Sequence, residues 1–427
     1  MDRRYLSIFF VAYVLLLSQA GWAQEPVKNW QFSASARYRF EDSSYANLKD
    51  RRQFSHLRVN PLVTFDESQG VKLVLEGQYV KIMGQSYLEL TDSGAQLVET
   101  SSNSSYRGDL DSFWMRQAYL DLELRDDLNL LLGRQSLLYG DQLIIGPSTW
   151  GTYGRSFDAA RLRWSQGKSW ADALYSVLRE NTINNSQDQG DKTLSALYVS
   201  YEVSNFIPTL DLYYFYLSEQ SRSATGPNNQ HFGDYGTRIL TQMGDWGWKI
   251  EYAQNFGTEG TNFIGAGEDS QNNMLDTTVT WKQEQQQWAL QAFFAGKNWR
   301  EMFPTTHAVL GKTDVLGRRN LAGAALRHKG QWSDLWSTEL SFYYFTRNDN
   351  DTAAFAPNSV SPLGDPTEKS RDLGTEVDLI VKYKLNPKTA VSASVSAFQY
   401  GEYFSNSASV DDDKTPLYSY IMVETQF

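Results

Sequence analysis

Apolar and polar residues alternate along many separate segments of this chain, and the connections between those segments are short and long in turn. Residues 30–40 are the clearest segment, with one apolar face and one polar face. The apolar face carries Trp30, Phe32, Ala34, Ala36, Tyr38 and Phe40. A two-residue period of this kind predicts a β-strand that separates an apolar environment from a polar one.

The same alternation predicts 18 strands in all. They cover residues 30–40, 52–65, 71–80, 113–124, 127–134, 157–164, 170–180, 193–203, 208–218, 235–243, 246–256, 273–282, 287–296, 319–328, 335–346, 373–384, 389–399 and 416–427. Around Arg116 the parity slips, because Arg116 shares the face of Leu120 and Leu122, and this predicts a bulge or an interfacial position. An even number of strands is typical of bacterial outer-membrane barrels.

The connections after the even-numbered strands contain at most six residues, whereas those after the odd-numbered strands are longer. The longest cover residues 81–112, 135–156, 297–318 and 347–372. Antiparallel hairpins that cross an outer membrane have short periplasmic turns and long extracellular loops. We therefore expect an all-β fold, a transmembrane antiparallel β-barrel of about 18 strands. The last strand ends the chain at Phe427, as expected of an outer-membrane assembly signal.

The first residues indicate export across the inner membrane. A basic start at Arg3 and Arg4 precedes an apolar run over residues 5–17, and Ala20 or Ala23 is the expected last residue before cleavage. We expect residues 1–23 to be a signal peptide and residues 24–427 to be a single barrel domain. Elsewhere there is no apolar run of 18 residues, so no transmembrane helix is expected.

Composition fits this fold and argues against several other classes. Aromatic residues make up 14% of the 427 residues although mean hydropathy is −0.49, as expected of alternating strands with aromatic girdles. No phosphate-binding glycine loop or basic domain is present, so we expect no nucleic-acid partner. The four histidines lack metal-ligand spacing, and no catalytic constellation is visible, so we expect no enzyme, cofactor or metal site. The acidic run Asp411–Asp413 could bind calcium but is more simply a solvated loop.

Parity assigns a set of basic side chains to the lumen, because a Lys or Arg at the lipid midplane costs about 2–4 kcal/mol. They are Arg37, Arg39, Arg52, Arg58, Lys72, Arg161, Arg163, Arg238, Lys249, Arg319, Arg327, Lys382 and Lys384. These 13 bases outnumber the nine inward acids, although the whole chain has a net charge of −11. They either pair with acids and only fill the lumen, or form an electropositive path for anions.

The strand that carries Arg161 and Arg163 follows a turn-rich excursion, residues 135–156. Arginines that point inward beside a folded loop indicate a constricted pore that accepts anions. Trp114, Trp150 and Trp299 lie in or beside loops and are candidates for stacking on a carbohydrate. The other aromatic residues are expected to form girdles that face the lipid.

Three blocks of sequence carry a family resemblance. The first contains Gly133-Arg134-Gln135, Tyr139-Gly140-Asp141, Gly146-Pro147, Trp150 and residues 154–162. The second contains residues 303–307, Gly311, Asp314 and residues 319–321, and the third contains residues 373–378, 396–398, 401–403 and Phe427. In this order they resemble the bacterial alginate-export family, whose alginate exporter is an 18-stranded outer-membrane barrel with an arginine-lined constriction.

The resemblance implies that Arg134, Arg155 and Arg161 form the constriction, and it adds Asp141 and Trp150 to the expected pore residues. The exporter also has a long periplasmic loop that helps to gate its pore. No even-numbered connection of this chain is comparable, so the resemblance specifies the family better than it specifies the substrate.

We therefore predict an outer-membrane channel that passively conducts an anionic solute. An acidic polysaccharide such as alginate, or its oligosaccharides, is the leading candidate. A general or nutrient-uptake porin for small organic solutes is the alternative, and a plugged barrel whose loops bind a partner is a third. Outer-membrane lipid, lipopolysaccharide and the barrel-assembly machinery are the other expected partners.

Overall fold

The fold is known from a computed structural model. The structure describes residues 29–44, 52–67, 70–84, 86–91, 94–99, 110–179, 191–223, 226–258, 273–357, 361–407 and 415–427. The predicted signal peptide and the acidic run Asp411–Asp413 lie outside these residues. None of the helices in the described ranges is long and apolar enough to cross a membrane.

Eighteen strands form one antiparallel sheet in which each strand pairs with its neighbours along the chain. They are β1 (Trp30–Ser44), β2 (Arg52–Glu67), β3 (Val71–Gly84), β4 (Leu110–Arg125), β5 (Leu128–Gln135), β6 (Phe157–Gln166), β7 (Ser169–Arg179), β8 (Lys192–Tyr201), β9 (Thr209–Ser223), β10 (Gly226–Met243), β11 (Trp246–Thr258), β12 (Asn273–Gln283), β13 (Gln286–Ala295), β14 (Leu321–Gln331), β15 (Trp336–Arg347), β16 (Asp372–Asn386), β17 (Thr389–Tyr400) and β18 (Leu417–Gln426). β1 also pairs with β18, from Ser35 opposite Gln426 to Ser44 opposite Leu417, which closes the barrel. The predicted strand number and fold class are confirmed.

The largest differences in strand boundaries occur at β9 and β10, which extend to Ser223 and begin at Gly226. The pairing between these two strands continues through polar residues. Backbone hydrogen bonds maintain it there, although the apolar–polar alternation of the sequence has ended. β14 begins at Leu321, two residues later than predicted. Arg319 therefore precedes the strand.

The predicted parity slip near Arg116 is a β-bulge. The pairing of β3 with β4 shifts register between Glu76 and Gly77, and Arg116 is the extra residue. The bulge lets Arg116 join the lumen face, where its Nη1 lies 2.7 Å from Oε1 of Glu76.

Two long connections fold into the barrel: the first inner loop, residues 136–156, and the second inner loop, residues 296–320. Their apolar residues pack on the inner faces of the strands in one buried cluster. Along β8, for example, Leu194 and Tyr198 are buried inside while Leu197 is exposed outside. Part of the lumen wall is therefore apolar, because the inner loops cover it.

The two ends of the barrel differ. At one end, short connections join each even-numbered strand to the strand that follows it, for example residues 126–127, 167–168, 244–245 and 284–285. This short-turn end opposes a long-loop end, which bears a two-stranded hairpin (Ser86–Thr91 and Gly94–Glu99), a small ladder (Ala354–Phe355 with Pro362–Leu363) and a short helix, Glu402–Ser405. A 3-10 turn, Thr306–Ala308, lies in the second inner loop.

Candidate functional site

The two inner loops pair with each other inside the barrel. Ile145 and Phe303 form an isolated parallel bridge. The backbone N–H of Gly146 donates to the carbonyl oxygen of Phe303 at 2.9 Å, and the N–H of Phe303 donates to that of Ile144 at 2.8 Å. These bonds satisfy backbone groups that burial would otherwise leave unpaired. The loops therefore form one body within the lumen.

Arg155 joins these two loops. Its Nη1 donates to the carbonyl oxygens of Gly146 at 3.0 Å and Pro304 at 3.2 Å, and also to that of Phe303. Burial lowers the pKa of Arg155 to about 10, so the guanidinium remains charged at neutral pH. The resemblance implies that Arg155 lines the constriction. In the structure its Nη1 holds together the loops that narrow the lumen.

Three inward arginines bind the tip of the first inner loop. Arg37 donates to the carbonyl oxygens of Thr149 at 2.9 Å, Trp150 at 3.1 Å and Gly151 at 2.8 Å. Arg58 donates to those of Thr149 at 2.9 Å and Gly151 at 3.3 Å, and Arg39 donates to that of Trp150 at 2.8 Å. The predicted inward orientation of Arg37, Arg39 and Arg58 is confirmed.

The Trp150 ring is enclosed by side chains. The guanidinium carbon of Arg39 lies 3.8 Å from the ring centroid, and the His307 ring stacks at 4.3 Å with an interplanar angle of 7°. Tyr420 packs against the edge of the ring at 4.9 Å. The sequence makes Trp150 a candidate for stacking on a carbohydrate, but in this arrangement Arg39 and His307 already pack against the faces of its ring.

Glu376 on β16 anchors the second inner loop. Its carboxylate accepts hydrogen bonds from the backbone N–H of Lys312 at 2.5 Å, the N–H of Thr313 at 2.9 Å and the Thr313 hydroxyl at 2.7 Å. Gly311 has a φ of 44°, and a Cβ at this position would collide with the carboxylate of Glu376. A glycine is therefore required for this close approach.

Arg161 and Arg163 share the lumen face of β6 but differ in their partners. Arg163 forms two hydrogen bonds of 2.7 Å with the buried carboxylate of Asp172 and lies 4.5 Å from the centre of the Trp170 ring. Arg161 approaches the same carboxylate only to 3.8 Å, and its buried Nε has no hydrogen-bond partner. Asp121 on β4 accepts a hydrogen bond from Asn129 at 2.8 Å.

Asp141 connects the first inner loop to the opposite wall. Its carboxylate lies 2.7 Å from an Arg238 nitrogen and 2.5 Å from the Lys249 ammonium. Burial acts to raise the pKa of Asp141, but the charges of Lys249 and Arg238 outweigh it and hold that pKa below the usual value. Asp141 is thus an ionised anchor of the loop.

Two predicted pore residues are corrected. Arg134 shares the outward face of β5 with Leu132, while Leu131 and Gln135 are buried on the inner face. It forms two 2.7 Å hydrogen bonds with Asp158, which also faces outward. Arg319 lies in the second inner loop, where its Nε donates to the carbonyl of Lys297 and its guanidinium covers the Phe355 ring. The resemblance implies a constriction role for Arg134, but the alternation of β5 turns its side chain outward, and the strand predicted to contain Arg319 begins only at Leu321.

The other stacking candidates are also engaged within the protein. Trp299 is fully buried, and Trp114 packs against Tyr153 at 4.4 Å between ring centroids. The contact of His307 with Trp150 and the inward position of Asp172 were not predicted from the sequence. The inward position of Asp172 could have been predicted, because the two-residue turn after β6 places Asp172 opposite the inward Arg163.

Two cavities lie in the short-turn half of the lumen. The larger, the basic vestibule, has a volume of about 840 Å³. Its charged lining consists of Arg37, Arg58, Lys382, Lys384, Lys388, Asp334 and Glu424. The smaller, of about 380 Å³, lies by β10–β14 and contains Arg238, Lys249, Arg327, Lys329 and Asp141. Both cavities carry an excess of basic side chains. In the ranges that the structure describes, no group of three or more His, Asp or Glu side chains could hold a metal ion.

Comparisons with known proteins agree with this architecture. Among solved structures, OccAB1 from Acinetobacter baumannii superposes with a TM-score of 0.63 at 10% identity, over 93% of this chain and 96% of that one. OccK2 (OpdF) from Pseudomonas aeruginosa, in complex with glucuronate, superposes with a TM-score of 0.62 at 10% identity, over 95% of this chain and 99% of that one. At this identity the likeness shows the fold alone. No curated protein sequence matches the chain significantly.

A family model described as alginate export matches residues 28–417, nearly the whole chain. The barrel closure, the sorting of turns and loops, and the two inner loops are those of an outer-membrane channel, with the short-turn end at the periplasm. The chain belongs to the alginate-export family and forms a β-barrel channel in the bacterial outer membrane.

Proposed function

We propose that this channel passively conducts an anionic solute that carries carboxylates, with an acidic polysaccharide or its oligosaccharides, alginate-like in charge, as the leading candidate. The observation that carries the proposal is the basic vestibule, in which five bases face two acids. A cleft lined by one sign of charge raises the local concentration of the opposite ion. The vestibule would therefore collect anions at the periplasmic mouth, against the net charge of −11 on the whole chain.

The arginines of the lumen suit carboxylates in particular. A guanidinium presents a planar pair of donors that matches a carboxylate oxygen pair. Conduction also requires that no site bind the solute too tightly. Arg161 is available for such transient contacts, since it faces inward and its Nη1 lies 3.8 Å from the carboxylate of Asp172.

The second candidate is an uptake porin for small organic anions. The observation that favours it is the narrowing of the lumen by the two inner loops, which are bonded to each other and to the wall. A narrow path admits a monomer or a short oligomer more readily than a long polymer. Both candidates share the carboxylate chemistry and differ in the length of the solute.

The test uses the purified full barrel in planar bilayers, with glucuronate, short mannuronate oligomers and neutral sugars of matched size added to the periplasmic side. We expect concentration-dependent block of the ion current by the uronates and little block by the neutral sugars. Block by oligomers at lower concentration than by glucuronate supports the oligosaccharide, and block by glucuronate alone supports the uptake porin. Equal effects of charged and neutral sugars would contradict both.

A further inference from the structure

Arg37 and Arg58 direct their guanidinium groups at neutral acceptors. Between them they donate five hydrogen bonds, of 2.8–3.3 Å, to the carbonyl oxygens of residues 149–151. Within the described residues, neither arginine forms an ion pair with a carboxylate. Two guanidinium groups whose N–H donors converge on a cluster of oxygen atoms have the chemistry of a carboxylate-binding site. Here the oxygens come from the protein's own loop.

Both arginines line the basic vestibule at the periplasmic end of the lumen, Arg58 as a half-buried side chain and Arg37 as a residue that is only 5% exposed. Lys382 and Lys384 line it as well, so an anion that enters the vestibule meets a basic wall before it reaches the loop. A solute carboxylate can therefore approach the guanidinium groups without first crossing the inner loops.

We propose that residues 149–151 occupy a carboxylate site formed by Arg37 and Arg58, and that a carboxylate solute takes this site and releases the loop tip. The inference rests on the proposed entry of anionic solutes into the vestibule. A hydrogen bond between two charged groups is roughly twice as strong as one to a neutral carbonyl. A solute shifts a conformational equilibrium only through such a difference in affinity between the two states.

Release of the loop tip also moves Trp150. The docked ring is held between Arg39 and His307 and packs against a small buried cluster on the inner face of β18. That cluster consists of Tyr418, Tyr420 and Met422. When the tip leaves, the cluster loses its cover and becomes open to small molecules in the lumen. Arrival of the solute would thus widen the lumen at the position that Trp150 occupies.

The test reads the exposure of that cluster chemically, since the native chain has no cysteine. In Met422→Cys, the new thiol is the sole target for a small, neutral, water-soluble thiol reagent. We expect glucuronate to raise the modification rate roughly tenfold, which corresponds to about 1.4 kcal/mol of differential affinity. Glucose at the same concentration and chloride at the same ionic strength should leave the rate unchanged. If Met422→Cys does not fold, Tyr420→Cys provides the same readout.

Two double variants identify the binding site. Adding Arg58→Gln to Met422→Cys should remove the response to glucuronate, because half of the site is lost. Adding Arg134→Gln should preserve it, because Arg134 lies on the outer face. An unchanged or slower modification rate with glucuronate would overturn the proposal, since a solute that binds beside a fixed loop only shields the thiol.

Current recordings on the same preparation separate this inference from the proposed function. If glucuronate blocks or carries current while the modification rate stays constant, conduction of anions stands and displacement of the loop is wrong. If neither glucuronate nor the mannuronate oligomers affect either quantity, both the displacement and the proposed function are wrong.

Discussion

Arg39 contacts Trp150 in two ways: its guanidinium carbon lies 3.8 Å from the centre of the indole ring, and its Nη1 donates a 2.8 Å hydrogen bond to the Trp150 carbonyl oxygen. Arg39 is itself held by Glu41, which accepts a hydrogen bond from the Nε. Arg39 on the barrel wall thus contacts both the side chain and the backbone of Trp150. Because the other face of the ring meets His307, Trp150 connects the wall to both inner loops.

Trp150→Ala should raise the single-channel conductance in plain salt. The substitution removes the contacts of the ring with Arg39 and His307, which together contribute roughly 1–3 kcal/mol to docking of the loop tip. The backbone bonds of Arg37 and Arg58 remain, so we expect a partly docked, noisier loop. Planar-bilayer recording measures both conductance and noise.

Trp248→Ala is the matched control for this prediction, because Trp248 lies on the exposed outer face of β11. It should leave conductance unchanged. If Trp150→Ala behaves as Trp248→Ala does, Trp150 does not limit the path through the lumen.

Lowering the pH should loosen the inner loops through His307. Its Nδ1 donates to Asp314 at 2.8 Å while the buried Nε2 has no partner, and burial lowers the pKa of His307 even though Asp314 opposes this. A released imidazole has the ordinary pKa of 6.5. The contribution of His307 to docking of the loops is therefore fully present above pH 6.5, and it is lost as the pH falls towards the lowered pKa of the docked imidazole. Conductance noise should increase between pH 7.5 and pH 5.5.

His307→Gln should remove most of this pH dependence, since the amide can still donate to Asp314 but does not titrate. Other charged or titratable groups act on or contact His307 from the surrounding elements, so the comparison with this variant is essential. They are Arg39, Lys312, Asp314, Asp378 and Tyr418. A pH response that survives in His307→Gln would assign it to one of these groups.

Arg161 and Arg163 should differ in function although they share one face of β6. Arg161→Gln should weaken block by uronates about tenfold, because a hydrogen bond to a charged group contributes about 1.5–3 kcal/mol and 1.4 kcal/mol is a factor of ten. Arg163→Gln should mainly lower stability, by about 3 kcal/mol, because it leaves the buried carboxylate of Asp172 without its main partner. Block titrations and thermal unfolding of both variants test this. Equal effects on block would show that Arg161 is no more available than Arg163.

Arg134→Glu should leave ion selectivity unaltered. The side chain pairs with Asp158 on the outer face, so reversing its charge affects the outer surface and not the lumen. The variant should lose a little stability, because the introduced carboxylate would repel that of Asp158. A clear shift of reversal potential in Arg134→Glu would show that its side chain acts on the pore after all.

Strand-level features of this protein could be predicted from the sequence because they depend on local periodicity. The count of 18 strands, the bulge at Arg116 and the inward orientation of Arg37, Arg58 and Arg161 all follow from alternation along single strands. Pairing adds a little more, since a two-residue turn sets which residues face each other, as with Arg163 and Asp172.

The loops could not be predicted in the same way. Parity says nothing about residues outside strands, so the contacts of Arg155 with Phe303 and Pro304, far away in sequence, had no local signal. The same holds for the stacking of Trp150 on His307. The sequence identified both Arg155 and Trp150 as important but could not show that they hold the loops together.

The basic side chains of the lumen should make the channel favour anions, and the reversal potential of the wild-type channel in a potassium chloride gradient measures this preference. We expect anion selectivity, set by the arginines and lysines of the basic vestibule, and a shift towards cations in the double variant Arg58→Glu with Lys382→Glu. Cation selectivity, or no selectivity, in the wild-type channel would contradict it.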